Sequence, residues 1–221
     1  MSFLTNWADW MPTLLKGLLL SIEITAASLA IGLPLGLLLA VATSSPVKAV
    51  RWLCIALVEV GRGAPALVVL QLFYFGLPST GLTVSSFVSA FCALGLTTAA
   101  FTSEILRAGL QAVPAGETEA CAALGVTRMD TLRFVVAPQG LRIALPALMG
   151  FAVLIFQATS LCFTIAVPEL LSQAYSIGSS TFQYLSVLSL AGLLYAAITV
   201  PASWLVARAD RRMSRHLAHA T

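Results

Sequence analysis

The 221-residue chain is 59% hydrophobic and 10% charged, with a formal net charge of +3 and a mean hydropathy of +0.95. About a quarter of the residues in an ordinary soluble domain are charged, and a globule of this composition would expose too much apolar surface to water. Composition therefore excludes a soluble, disordered or disulfide-stapled domain and indicates an integral membrane protein.

Asp, Glu, Lys and Arg are absent from four long stretches, residues 24–47, 63–103, 143–168 and 170–207. A helix needs about 20 apolar residues to cross the hydrocarbon core of a bilayer. The second stretch is long enough for two crossings and is divided by a turn signal at residues 76–81. We therefore expect an all-α integral membrane protein. Its five transmembrane helices are predicted near residues 18–43, 54–76, 85–107, 145–167 and 185–207.

The basic residues fall almost entirely on one side of this topology, and Lys16 alone lies on the other. Because cytoplasmic loops carry an excess of Lys and Arg, we expect the N-terminus outside and the C-terminus in the cytoplasm. Residues 1–16 are then an extracytoplasmic segment and residues 209–221 a basic cytoplasmic tail. This topology explains the net charge and gives no reason to invoke nucleic acid.

Near the cytoplasmic ends of spans two and three lie two pairs of opposite charge with i, i+3 spacing. They are Glu59 with Arg62, and Glu104 with Arg107. Such a pair is either an interfacial ion pair or part of a gate, and the sequence leaves both open. Pro65, together with the glycines that flank Arg62, indicates a helix interrupted there, as transporters use around their pathways.

Polar residues inside the spans are candidates for a translocation pathway. They are Gln71, Gln157, Thr159 and Ser160. These side chains could hydrogen-bond a zwitterionic solute or bridge neighbouring helices, and we favour bridging for most of them.

The long cytoplasmic loop, residues 108–142, begins with signals for a short helix. Pro114 suits the first turn, and Glu117 and Glu119 place negative charge where the helix dipole favours it. Gly125 fits the position just after a helix C-terminus. We therefore expect a helix that ends in a hinge at Gly125.

A second short helix is expected after the hinge. Thr127 with Asp130 resembles a capping box with Asp in place of Glu, and the helix is expected to end before Pro138. The first helix carries an apolar patch of small residues, which favours docking onto another protein over lying on the lipid surface. The patch consists of Ala120, Ala123 and Leu124.

The loop resembles a known sequence pattern. Glu119-Ala120-Cys121, three residues, Gly125, nine residues and Val135-Val136-Ala137-Pro138 are similar to the EAA loop of type-1 ABC importer permeases. The chain departs from that pattern by small or apolar replacements that keep the spacing. They are Cys121, Val135 and Ala137.

Four further segments resemble the polar amino acid subfamily, of the histidine, glutamine and arginine type, in the same order along the chain. They are residues 59–65 with 74–78, residues 103–109, residues 138–146, and residues 159–161 with Glu169-Leu170. The resemblance covers about residues 17–205. The subfamily commonly has Gln where Val69 stands, and often Lys-Asp where this chain has Gln157-Ala158.

The resemblance implies a type-1 permease domain over residues 17–208 in a bacterial inner membrane, and a permease subunit that is not itself an enzyme. It assigns coupling to an ATPase to seven residues of the loop. They are Gly116, Glu117, Glu119, Ala120, Ala123, Gly125 and Pro138.

A P-loop needs Gly-Lys followed by Ser or Thr, and neither Lys16 nor Lys48 has that context. ATP and Mg are therefore expected on separate subunits, and no cofactor on this chain. The resemblance implies a second permease chain, identical or different, two ABC ATPase subunits and an extracytoplasmic solute-binding protein.

The sequence lacks the features that two other classes of function require. A stand-alone secondary transporter or channel would need coupling charges at the midplane and an inverted repeat, and neither is evident. A membrane-embedded enzyme or metal site would need clustered His, Asp, Glu or Cys within a span. The four cysteines lie far apart and read as small apolar residues.

Overall fold

A computed structural model describes residues 6–217, with side chains to Met213, and the described chain is helical without strands. The parts of the predicted segments 1–16 and 209–221 that fall on residues 1–5 and 218–221 lie outside the described residues. The helices are α1 (Trp7–Ala42), α2 (Lys48–Gly63), α3 (Ala66–Gln71), α4 (Ser86–Gln111), α5 (Ala115–Ala123), α6 (Arg128–Thr131), α7 (Ala137–Ala158), α8 (Leu170–Thr181) and α9 (Tyr184–Leu217).

Four helical segments of the described chain are long and apolar enough to cross a membrane, and a bent pair would make a fifth. The four are Trp7–Ala42, Ser86–Gln111, Arg128–Ile165 and Tyr184–Met213. The bent pair joins α2 to the helical stretch Ala66–Thr80 at an angle of 100°. The interruption predicted at Pro65 is confirmed, because Ala64 and Pro65 are extended between the two helices.

Helices α1 and α9 are longer than the apolar pattern predicts. The first begins at Trp7 rather than near residue 18, because Trp10 and Leu14 are buried against α8 and α9. The last continues to Leu217 instead of ending near residue 207. Packing therefore extends α1 beyond the residues that a bilayer requires, and α9 runs on past its apolar stretch into the basic segment.

The most extensive contact between helices joins α1 to α4. A Cβ atom on Gly32 would overlap the side chain of Thr98, and one on Gly36 would overlap that of Thr102. Both threonine hydroxyls donate to carbonyls of the preceding turn of α4, at 2.7 Å, so they sit in this interface without needing a partner on α1. The two backbones thus approach as closely as small residues allow.

Two groups of buried residues lie at opposite ends of this helix pair. One holds Trp10, Leu14 and Leu18 of α1 against α8 and α9. The other holds Ala40 against Leu106 of α4 and Ala144 of α7. The first lies at the end that carries α8, and the second lies towards the loop that carries α5.

We predict that Gly32→Val lowers the free energy of unfolding by about 1–3 kcal/mol, because the added atoms overfill a close-packed contact. Gly192→Val is the matched control, since nothing lies within 4 Å of a Cβ atom at Gly192 in the middle of α9. Thermal unfolding of the purified protein in one detergent measures both variants. Equal effects would contradict the importance of the α1–α4 contact.

Candidate functional site

The loop between α4 and α7 presents a short helix that is almost wholly exposed. Every residue of α5 is exposed except Cys121, which is half-buried, and Leu124 just beyond it is 82% exposed. The helix starts directly after Pro114, and Glu117 lies in its first turn. An ordered helix with so little burial in its own chain presents a surface that another protein can cover.

The C-terminus of α5 has the geometry that Gly125 predicts. Gly125 has φ +73°, its N–H donates to the carbonyl of Ala122 at 3.1 Å, and the N–H of Val126 donates to that of Cys121 at 3.0 Å. These two bonds form a Schellman motif, which requires the left-handed conformation at the glycine. The turn expected after the helix at Gly125 is therefore present.

The second short helix also begins as predicted, at Thr127. Its hydroxyl accepts a hydrogen bond from the Asp130 N–H at 3.2 Å and donates to the Asp130 carboxylate at 2.6 Å. This capping fixes the direction in which the chain leaves the Gly125 turn.

The expectation that this second helix ends before Pro138 is wrong. Helix α6 continues through a π-helical stretch, Leu132–Val136, directly into α7. The N–H of Ala137 donates to the carbonyl of Leu132, five residues earlier. This wider turn accommodates a proline that lacks an N–H and would clash in a regular helix.

The two predicted charge pairs meet in one cluster. Glu104 lies 2.6 Å from Nη2 of Arg107 and 3.6 Å from Nη1 of Arg62, and Arg62 is 3.7 Å from Glu59. Glu104 is the centre of the cluster, with a side chain 24% exposed against 67% for Glu59. The guanidinium of Arg62 also lies 5.9 Å from the ring centroid of Phe101. The cluster therefore ties the bent end of α2 to α4.

Two of the four polar residues proposed for a pathway form hydrogen bonds within their own helical segment. The hydroxyl of Thr159 donates to the carbonyl of Phe156 at 2.7 Å, and that of Ser160 donates to the carbonyl of Gln157 at 2.8 Å. Both bonds lie within one helical segment. Gln157 is exposed, and Gln71 is half-buried at the end of α3, which packs on the segment Thr159–Ile165.

One buried acidic residue was not singled out as a site by the sequence reasoning. Glu169 is fully buried and accepts hydrogen bonds from the N–H groups of Leu171 and Ser172 and from the hydroxyl of Tyr195. Burial raises the pKa of its carboxyl, although these donors limit the rise. A signal was present, because Glu169 is the lone charge between two long apolar stretches.

Residues 32–215 match a protein family that is described as "Binding-protein-dependent transport system inner membrane component". Among its relatives, the chain is 35% identical to the probable amino-acid ABC transporter permease protein YckA of Bacillus subtilis, over 85% of this chain and 83% of that protein. It is 31% identical to the arginine transport system permease protein ArtQ of the same organism, over 91% and 93%. It is 33% identical to the glutamate/aspartate import permease protein GltK of Escherichia coli, over 92% and 97%.

Solved structures agree with these relatives. The fold matches a chain of an amino acid ABC transporter crystallised with histidines, with a TM-score of 0.91, 31% identity, and coverage of 94% of this chain and 97% of that one. It also matches a chain of the MetNI methionine ABC transporter, with a TM-score of 0.65 and 21% identity over 90% and 95%. The second match concerns the fold alone.

Proposed function

The chain belongs to the family of binding-protein-dependent transport system inner membrane components, and we propose that it translocates a polar amino acid or a related small solute in an ABC importer. The exposed helix α5, fixed by the turn at Gly125, is the observation that carries this proposal beyond the family match. A stand-alone secondary transporter or channel has no use for such a helix, whereas a permease driven by a separate ATPase requires a surface of this kind.

The proposed assembly contains two permease chains, identical or different, two ABC ATPase subunits and an extracytoplasmic solute-binding protein. ATP and Mg bind to the ATPase subunits, and this chain supplies the path through a bacterial inner membrane. The permease domain spans residues 17–208. The contact with the ATPase is assigned to Gly116, Glu117, Glu119, Ala120, Ala123, Gly125 and Pro138.

Function is tested by reconstituting the chain with an ABC ATPase and a solute-binding protein from the same organism. We expect the ATPase to remain bound in mild detergent, and its activity to rise when the binding protein carries its solute. A chain that purifies without an ATPase and transports solute along an ion gradient would overturn the proposal.

Helix α5 makes a sharper prediction, and residues 108–142, which contain it, are called the coupling loop. Gly125→Val should reduce the stimulation of ATPase activity by loaded binding protein roughly tenfold, a loss within the range of typical coupling energies. A β-branched residue tolerates φ +73° poorly, whereas asparagine adopts this conformation. Gly125→Asn is therefore the matched control and should keep most of the stimulation. Equal activity of both variants and the wild type would contradict the hinge.

We propose five spans, with the bent α2–α3 pair as the second, the N-terminus outside and the C-terminus inside. Single cysteines at positions 80 and 176 should then react with an impermeant maleimide from outside, and one at position 129 only from inside. All three positions are exposed in the structure. The background must lack the native cysteines at 54, 92, 121 and 162. Reversed labelling would contradict this orientation.

The pathway is proposed to run beside Gln71, Gln157, Thr159 and Ser160. Contact between α3 and the segment Thr159–Ile165 supports this assignment. The charge cluster of Glu59, Arg62, Glu104 and Arg107 is then a brace for the bent second span, and we propose that it also helps to hold the path closed.

If the cluster holds a gate, Arg62→Ala should raise ATPase activity in the absence of binding protein by about fivefold, in line with typical coupling energies. The change removes the ion pair that links α2 to Glu104. Arg51→Ala, on the same helix, is the control and should have no effect on that activity. Unchanged basal activity of Arg62→Ala with normal transport would leave the cluster a purely structural brace.

A further inference from the structure

Glu169 is held at the junction of three helices. As the N-cap of α8, it accepts the N–H groups of Ser172 at 2.7 Å and Leu171 at 2.9 Å. Its Oε2 atom also accepts the hydroxyl of Tyr195 in α9 at 2.8 Å. The same carboxyl thus organises the start of one helix and binds the side of another.

The backbone next to Glu169 is fitted closely against α1. A Cβ atom on Gly17 would come within 2.9 Å of the Glu169 carbonyl oxygen. The N–H of Leu170 donates to the hydroxyl of Ser21 at 3.4 Å. Helices α1, α8 and α9 therefore meet around one residue whose side chain is fully buried.

Among the residues 6–213, Glu169 is the acidic residue with a buried side chain. No salt bridge is found at its carboxyl in this part of the chain, so neutral donors satisfy it. A buried carboxyl that loses a donor suffers a large desolvation penalty. Its position relative to α8 and Tyr195 is therefore narrowly fixed.

Tyr195 extends this junction towards the rest of the molecule. Its ring packs on Phe156 of α7, with ring centroids 5.4 Å apart. Helix α7 continues without a break through the π-helical stretch to α6, which adjoins the Gly125 hinge. A contiguous series of packed groups therefore runs from α8 to the coupling loop at the other end of the bundle.

Helix α8 faces outward with polar residues on its free side. Leu170, Ala174 and Gly178 are buried, whereas Ser176, Ser179 and Ser180 are exposed. A polar, exposed helix at the end of the bundle opposite α5 is accessible to a protein that approaches from that end.

We propose that Glu169 is a positioning residue, and that its hydrogen bond to Tyr195 transmits docking of the solute-binding protein on α8 to α7 and the coupling loop. This inference rests on the proposed function. The hydrogen bond between Glu169 and Tyr195, called the tether, transmits the effect of docking, and the capping of α8 does not.

Two substitutions separate the tether from the cap. Glu169→Asp keeps a good N-cap for α8 but is one methylene too short to reach Tyr195. Tyr195→Phe removes the same hydrogen bond from the other side. Each should reduce the stimulation of ATPase activity by loaded binding protein about fivefold or more, within the usual range of coupling energies. Basal ATPase activity and the amount of bound ATPase should not change.

The double variant distinguishes a tether from two separate defects. If both residues act through one hydrogen bond, the double variant should be no worse than the more affected single variant. Glu23→Asp and Tyr74→Phe are the matched controls and should be stimulated normally. They shorten an exposed glutamate of α1 and remove a tyrosine hydroxyl outside this junction.

The inference is overturned if both single variants are stimulated like the wild type, if stimulation falls only in proportion to the amount of assembled complex, or if the two defects add. Should Glu169→Asp fail to assemble, Tyr195→Phe alone decides. These outcomes are distinct from failure of the proposed function, in which the wild-type assembly would itself show no stimulation by loaded binding protein.

Discussion

Close contact between α1 and α4 is the constraint on which the rest of the structure depends. Lipid tails are as apolar as leucine, so no hydrophobic force draws two spans together, and packing must come from close backbone approach. Gly32 and Gly36 allow that approach against the threonines of α4. With α1 fixed in this way, its two ends can organise different sites. Ser21 and Gly17 contact the start of α8, and Ala40 packs beside the base of the coupling loop.

The sequence predicted those features of the fold that depend on residues close together in the chain. Apolar runs located the long helices, Pro65 predicted the interruption, and Gly125 and Thr127 predicted both ends of the turn in the coupling loop, because each signal acts within a few residues. The start of α1 was missed, since packing of Trp10 and Leu14 sets it rather than bilayer thickness, and the continuation of α9 to Leu217 was missed because it lies beyond the apolar run. The end predicted before Pro138 failed for a related reason. A π-helical turn removes the clash on which the prediction rested.

What the sequence could not predict is which distant residues meet. Spacing of three residues predicted each charge pair, yet the link from Arg62 to Glu104 depends on how α2 packs on α4. Glu169 is a similar case, because its partner Tyr195 becomes a neighbour only when α8 folds back on α9. A lone charge between apolar stretches marks such a residue as one that needs partners, but does not identify them.

Continuity of the helix after the coupling loop has a mechanical consequence. Had the chain broken before Pro138, a flexible joint would separate the loop from α7, and a displacement of α5 would be absorbed there. Instead the π-helical stretch keeps α6 and α7 in one helical segment, which runs from Arg128 to Ile165. The turn at Gly125 is then the main joint between α5 and that segment. Its Schellman bonds and the Thr127 cap restrict its direction, so a force applied to α5 is delivered to a whole span.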